Sequence, residues 1–426
     1  MSPFEPMRVL FTTIAHPTHY YSMVPLAWAL RCAGHEVRVA SQPSLADAVT
    51  RSGLTFVPVG EDHQWAEKFA ANTATAGTAP RIDFTDLLAD PDPHDLLGFY
   101  TILVPGLFAP LNNKSMVDGL VTFAEEWEPD LVCWEPLTWA GAIAATVTGA
   151  AHARLLWSAD VLGATRQAFL DAQSNTPGPL RDDPLEEWLT WTLRKYGRDF
   201  DETVVEGHWV VDQESPSLGL STAQPRLPMS YVPYNGPALV PDWVREKPDR
   251  PRVCVTLGVS ARSGLGHTSV PLGELVRALA SPDIELVVTA GAAQRGELGR
   301  LPSSVRLVEN VPMHALLPTC AAVIHHGGAG TWCTALRSGT PQLVLPDIWD
   351  APWKAARLAE HGAGLVEPAS TLTVESVRDK LQRLLDDPSY RRESERLRAE
   401  LLAQPSPAEV ADELIRRTRE HAARRA

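Results

Sequence analysis

His325-His326-Gly327-Gly328-Ala329-Gly330-Thr331 is the stretch from which the fold follows. An apolar run, 320–324, precedes it and Trp332-Cys333-Thr334-Ala335-Leu336-Arg337 follows, a pattern that predicts a strand, a glycine-rich turn and then a helix. Glycine lets the backbone of such a turn come close to a ligand, and the first N–H groups of the helix point outward without intrahelical acceptors. With the positive end of the helix dipole behind them, those groups make an anion site. A flanking histidine and a threonine hydroxyl add two donors, which suits a diphosphate better than a single carboxylate. The plain alternative is a tight turn that only needs glycine. Two histidines, three glycines and a threonine at one strand-to-helix junction favour the ligand site.

Working outward, a chain of 426 residues exceeds what one hydrophobic core usually covers, so two domains are expected. A composition of 44% hydrophobic and 21% charged residues is that of a globular, water-soluble protein. The net charge of −14 argues against nucleic acid or an anionic membrane as partner, because both attract basic surfaces. A phosphorylated ligand must then be held by local dipoles and a few donors. The five cysteines (Cys32, Cys133, Cys254, Cys320, Cys333) sit in apolar segments without paired spacing, which predicts buried reduced thiols and neither disulfides nor a zinc site. No basic leader followed by an apolar run opens the chain, and no segment reads as the eighteen or so apolar residues that span a membrane, so a cytoplasmic protein is expected.

Residues 8–14 read as a buried strand, 22–33 as a helix stopped by Gly34, and 37–40 as the next strand. This strand, helix, strand opening implies a parallel sheet with right-handed crossovers. The first loop, Ala15-His16-Pro17-Thr18-His19-Tyr20-Tyr21, lacks glycine, so the dinucleotide fingerprint is absent and an NAD-type oxidoreductase is disfavoured. Residues 73–97 read as a long surface loop; Asp90-Pro91-Asp92 within it has the look of a metal-binding carboxylate pair, but two prolines in a polar stretch argue against that. A helix over 112–126, a strand over 131–134 ending at Glu135, a helix over 138–148 and a strand over 154–157 ending near Asp160 follow. Carboxylates at the carboxyl ends of parallel strands point into the crevice where open α/β sheets bind ligands. The amphipathic stretch 185–201 reads as a helix, and five prolines between 225 and 241 with Asn235-Gly236 make a stiff connection. A second α/β series begins at the strand 252–257 and runs through the glycine turn into a charged, helical end. Two such halves joined by a proline-rich hinge place the ligand between them.

With these elements in place, the sequence resembles the two-domain GT-B-fold glycosyltransferases that decorate natural products, nearly end to end. The family's donor signature stands here as His326-Gly327-Gly328-Ala329-Gly330-Thr331, Pro341-Gln342-Leu343-Val344 and Asp350-Ala351. Val24-Pro25-Leu26-Ala27-Trp28-Ala29-Leu30, the stretches 129–136 and 152–157, and Val232-Pro233-Tyr234-Asn235-Gly236 resemble more narrowly the actinomycete enzymes that attach deoxysugars to polyketides such as macrolides and anthracyclines. The resemblance implies two Rossmann-like α/β domains facing each other across a cleft: 1–236 for the acceptor, 237–404 for the nucleotide-sugar donor, and a C-terminal helix, 405–426, packing back on the first. It implies an inverting transfer from a dTDP-deoxysugar to a hydroxyl of an apolar polyketide aglycone in antibiotic biosynthesis, with no metal. It further implies a haem-less cytochrome-P450-like helper protein as partner, and it leaves room for a homodimer.

Such a transfer needs a base for the acceptor proton and stabilisation of the departing diphosphate. His19 matches the family's catalytic histidine, six residues before Pro25, and imidazole is the side chain that exchanges its proton near neutrality. His16 competes on chemistry alone. Glu135 and Asp160, both at strand ends, are equal candidates for the carboxylate that orients the base, and capping is the ordinary alternative for either. On the donor side Gly328, Gly330 and Thr331 supply N–H groups and a hydroxyl, His326 a ring donor, and Ser260 a further contact, with His325 packing in its strand. Val311 is placed in the family's base-binding loop, where Asn310 stands in place of an aromatic residue common in relatives. Asp350 would accept from a donor hydroxyl. Ala351 stands where the family carries glutamine, so one hydrogen bond to the sugar is missing and a deoxysugar is favoured. Two other functions compete: a non-catalytic nucleotide-sugar-binding helper, and a sugar-nucleotide epimerase on the same fold. The pairing of His19 with an intact 326–331 turn argues against the first, and apolar first-domain loops argue against the second.

Overall fold

The computed structural model describes residues 5–65, 83–174, 181–220, 222–257, 272–346, 349–368 and 370–425. Among the described residues, thirteen strands fall into two all-parallel sheets. The first comprises β1 (Arg8–Thr12), β2 (Glu36–Ser41), β3 (Thr55–Pro58), β4 (Leu131–Trp134), β5 (Ala151–Leu155), β6 (Trp209–Asp212) and β7 (Arg226–Pro228), in the order β3-β2-β1-β4-β5-β6-β7. The second comprises β8 (Arg252–Thr256), β9 (Glu285–Thr289), β10 (Val305–Val308), β11 (Ala322–His325), β12 (Gln342–Val344) and β13 (Gly364–Val366), in the order β10-β9-β8-β11-β12-β13. Because helices cover both faces of a parallel sheet, central strands are enclosed on both sides: β4 and β8 are buried at every position. These are two Rossmann-like halves, as the alternating strand and helix signals require.

Each sheet lies between two packed layers. In the first domain one face gathers Leu10, Val132, Trp134 and the apolar side of the helices Lys114–Trp127 and Trp139–Thr148; the other gathers Val9, Phe11, Cys133 and the helix Val24–Cys32. That second layer also takes Val410, Ala411, Leu414 and Ile415 of the last helix, Pro407–Arg425, so the C-terminus returns to the first domain. Removing each of the larger side chains, Val410, Leu414 and Ile415, from water stabilises the return by about 2 kcal/mol.

Several local expectations change. The loop after β1 contains a helical turn, Pro17–Tyr21, opened by proline at its first position, where the missing N–H costs nothing. Within 73–97, the residues from 83 onward form the helix Phe84–Ala89 and the start of Pro93–Leu103. Asp92 caps the latter, its Oδ1 accepting from the N–H of His94 at 2.8 Å and of Asp95 at 3.3 Å, and no metal-binding cluster is present among the described residues. The helix expected to run to 201 ends at Arg194. All five cysteines are free thiols, but Cys32 is exposed. The continuous helical run Pro93–Leu111 is long and apolar enough, by length and composition, to cross a membrane, contrary to expectation. Its Leu96, Tyr100, Leu103, Leu107, Phe108 and Leu111 are buried in the first domain's core.

The halves meet through buried polar contacts. Glu214, just after β6, accepts from the indole N–H of Trp332 at 3.1 Å to each of its oxygens. Burial pushes this carboxyl up to about 7, against the pull of Lys354 and the Trp332 hydrogen bond. A carboxyl that titrates higher in the folded state stabilises the fold only where it is protonated; that contribution is complete below its ordinary value of 4.5 and is lost as pH rises through about 7. Glu214→Gln keeps an acceptor for Trp332 without the charge. Its melting temperature, relative to that of the native protein, should therefore climb between pH 4.5 and about 7. A constant difference across that window would show that Glu214 does not titrate there.

Candidate active site

In the first sheet the chain moves outward from β1 to β2 and β3, then crosses to β4 on the other side. Open α/β sheets bind ligands beyond the carboxyl ends of the strands at such a reversal, so the loops after β1 and β4 frame the crevice. His19 lies in the first loop and Glu135 directly follows β4. The two are joined: His19 Nδ1 is 3.0 Å from Glu135 Oε2, with Glu135 wholly buried and the histidine side chain 17% exposed. Glu135 also accepts from the Trp157 indole N–H at 3.1 Å, the Leu137 N–H at 3.1 Å and the Thr138 hydroxyl. Burial pushes its carboxyl up, but the His19 contact and these hydrogen bonds outweigh that and hold it below its ordinary value. An ionised carboxylate only accepts, so His19 donates from Nδ1 and its Nε2 is left as the basic nitrogen. Trp157 packs against the imidazole at 4.8 Å between ring centroids, fixing its plane.

Asp160 does not join this group. Arg154, buried within β5, takes it in an ion pair of 2.7 Å, and its other oxygen caps the helix Val161–Gln173 through the Gly163 N–H at 3.0 Å. The isolated cation of a buried strand needs that carboxylate more than the loop does. His16 bonds the Thr18 hydroxyl at 2.8 Å and meets the His19 ring edge-on at 5.2 Å. Burial, with His19 and His63 nearby, lowers it to about 4, so it is neutral near pH 7 and without a carboxylate partner of its own. His63, for which no sequence motif stands out, joins this neighbourhood; both of its ring nitrogens are buried without a hydrogen-bond partner among the described residues.

The second sheet reverses between β8 and β11, and the glycine turn is the loop after β11. His325 ends the strand fully buried, its Nε2 2.8 Å from Gln342 Oε1 and its Nδ1 accepting from the Gly327 N–H at 3.0 Å. Burial lowers it to about 3, so it is a neutral structural residue that shapes the turn. Gly327 takes φ +89°, a left-handed conformation, and a Cβ there would lie 2.7 Å from that of Ala351. At Gly328 a Cβ would strike His326 Nε2 at 2.6 Å, so this glycine is what lets the His326 ring lie over the turn. Gly328 is the N-cap of the helix Ala329–Ser338 and offers no capping side chain, which leaves the first-turn N–H groups, those of Gly330 and Thr331 included, open to a ligand. The His326 Nδ1 is buried without a partner among the described residues, and burial lowers the ring to about 4. Asn235 of the connection approaches Gly330, where a Cβ would lie 3.2 Å from its Oδ1.

Asp350 and Ala351 begin the helix Ala351–Glu360, at 5% and 6% exposure. Asp350 is engaged across the cleft by the Ser158 hydroxyl and within its own helix by Lys354, 3.0 Å from its Oδ2. Ser158 adjoins Trp157, so consecutive residues just after β5 touch the Glu135–His19 pair on one side and Asp350 of the second domain on the other. Lys354, Ser158 and His63 were not singled out in the sequence; the spacing of four between Asp350 and Lys354 was the one available signal. Val311 is buried among Cys254, Val287 and Cys320, and Asn310 is exposed. Ser260 lies outside the described residues.

Comparison with known proteins agrees along the whole chain. Residues 28–258 match the N-terminal domain model, and 273–416 the C-terminal domain model, of the erythromycin biosynthesis protein CIII-like family. The chain is 52% identical to a 10-deoxymethynolide desosaminyltransferase of Streptomyces venezuelae, covering 97% of this chain and 98% of that protein. It is 48% identical to an aklavinone 7-beta-L-rhodosaminyltransferase of Streptomyces galilaeus, covering 98% and 97%. Among solved structures, the glycosyltransferase VinC in complex with dTDP superposes with a TM-score of 0.87 at 40% identity, covering 97% of this chain and 100% of that one.

Proposed function

The chain belongs to the erythromycin biosynthesis protein CIII-like family of GT-B glycosyltransferases, and from that premise we propose how its cleft carries out the transfer. It is a nucleotide-deoxysugar-dependent glycosyltransferase acting on polyketide aglycones, as its relatives in macrolide and anthracycline biosynthesis are. His19 Nε2 takes the proton of the acceptor hydroxyl as its oxygen forms the bond to the anomeric carbon. The bond from that carbon to the diphosphate breaks, its electron pair leaving with dTDP. Glu135 faces the imidazolium that results. The N–H groups of 328–331, the Thr331 hydroxyl and His326 receive the growing negative charge. Asp350 meets a sugar hydroxyl, and Val311 borders the base. Attack from the first domain on a leaving group held by the second makes a single displacement, with inversion. No step in this scheme calls for a metal. Residues 1–236 serve the acceptor, 237–404 the donor, and 405–426 return to the first domain.

The observation that carries this reading is the His19–Glu135 pair at one reversal point, with the uncapped glycine turn at the other. The acceptor enzyme works in the cytoplasm, where nucleotide sugars are made, and a haem-less cytochrome-P450-like helper is its partner, as the family resemblance implies. Incubating the protein with a dTDP-deoxysugar and a panel of polyketide aglycones, with and without such a helper, should yield glycoside and free dTDP in equal amounts. dTDP released without glycoside, or an epimerised sugar, would contradict the reading.

Ala351 sets the sugar class. Its methyl group packs against Gly327 where the family's glutamine would offer an amide. With Ala351→Gln, the preference for a deoxysugar over a fully hydroxylated donor should fall roughly tenfold, the value of one regained hydrogen bond. An unchanged ratio would remove Ala351 from the account of specificity.

A further inference from the structure

Lys354 is fully buried, and its ammonium meets three acceptors: Ser158 Oγ at 2.7 Å, the Gly327 carbonyl at 3.0 Å and Asp350 Oδ2 at 3.0 Å. The face of Trp332 lies 5.4 Å away. A buried ammonium needs each of its three N–H groups satisfied, and here two acceptors belong to the donor half and one to the acceptor half. Ser158 also donates to Asp350, so the three side chains form a closed ring across the cleft. The Gly327 carbonyl has a second consequence. In a trans peptide the carbonyl and the following N–H point in opposite directions, so holding the Gly327 carbonyl on Lys354 turns the Gly328 N–H away from it, toward the ligand side of the turn.

We propose that Lys354 is a positioning residue: it fixes the Gly327–Gly328 peptide as a donor to the leaving diphosphate, and through Ser158 it ties that peptide to the acceptor domain. The leaving-group site is then complete only when the two halves are in register. This rests on the transfer mechanism proposed above. Opening the cleft removes Ser158, leaves one N–H of a buried cation without its acceptor, and frees the peptide to rotate.

The test combines Lys354→Met, Ser158→Ala and the double variant, with dTDP affinity measured by calorimetry and kcat and KM measured with a dTDP-deoxysugar and its aglycone. Lys354→Met should weaken dTDP binding roughly tenfold and lower kcat further, the loss expected when a charge-assisted contact is removed. Ser158→Ala should weaken dTDP binding about threefold, less than Lys354→Met does, and lower kcat roughly tenfold. In the double variant Ser158→Ala should add nothing to the loss from Lys354→Met, because the two act through one contact. Additive losses, or native dTDP affinity in Lys354→Met, would overturn the proposal. If Lys354→Met does not fold, the split between affinity and kcat in Ser158→Ala decides alone, and an unchanged kcat there overturns it. Absence of glycoside with the native protein would instead count against the mechanism, while the dTDP measurements on the variants would still read the role of Lys354.

Discussion

His19→Ala should reduce glycosyl transfer about a thousandfold or more while leaving dTDP affinity unchanged. The size follows from removing a positioned general base, which contributes roughly 10²–10⁴-fold. The separation of effects follows from the architecture: His19 belongs to the loop after β1, and the diphosphate turn to the loop after β11, in the other sheet. The neighbouring His16 does not replace it, since its Nδ1 is bonded to Thr18 and it has no carboxylate to receive the imidazolium charge. Turnover close to native in His19→Ala would sink the assignment of the base. Lost dTDP affinity would show that His19 itself takes part in holding the nucleotide.

The second large effect is expected at Glu135. Glutamine can place its carbonyl oxygen where Oε2 accepts from His19, Trp157 and Leu137, while its amide donates to a reoriented Thr138 hydroxyl, so the fold should survive Glu135→Gln. What is lost is the negative charge facing the protonated base in the transition state. Transfer should fall roughly a hundredfold, and the acid limb of the kcat/KM profile should move to lower pH, because the protonated base has lost its counter-charge. Asp160→Asn makes the contrast. It leaves Arg154 buried without its ion pair, so it should lower the melting temperature rather than move the pH profile. A shift of the profile in Asp160→Asn, with none in Glu135→Gln, would reverse the two roles.

Much of this was legible in the residues, and what was not has physical causes. The strand, glycine turn and helix start around 325–331 were readable because their signals are contiguous. His19 as the proposed base rests on the resemblance around Pro25, since a polar five-residue helix such as Pro17–Tyr21 has no periodicity to detect. The choice between Glu135 and Asp160 depended on strand order, which places β4 and not β5 beside β1. No short-range pattern encodes a pairing of Thr12 with Trp134. One clue was present: Arg154 in an apolar strand demands a carboxylate, and Asp160 is six residues away. The strand β7 was hidden by its proline, which an edge position tolerates because no neighbour needs the missing N–H. Lys354 was hidden for another reason: a lysine in a helix reads as solvated, and only the packed cleft shows its ammonium enclosed.

The central claim is that an acceptor activated from the first domain displaces a diphosphate held by the second in one step. The anomeric configuration of the product, compared with that of the dTDP-sugar by NMR coupling constants, tests it most directly. A single displacement from the His19 face predicts inversion at the anomeric carbon. Retention would require a second displacement, or attack from the leaving-group side, and would contradict the account.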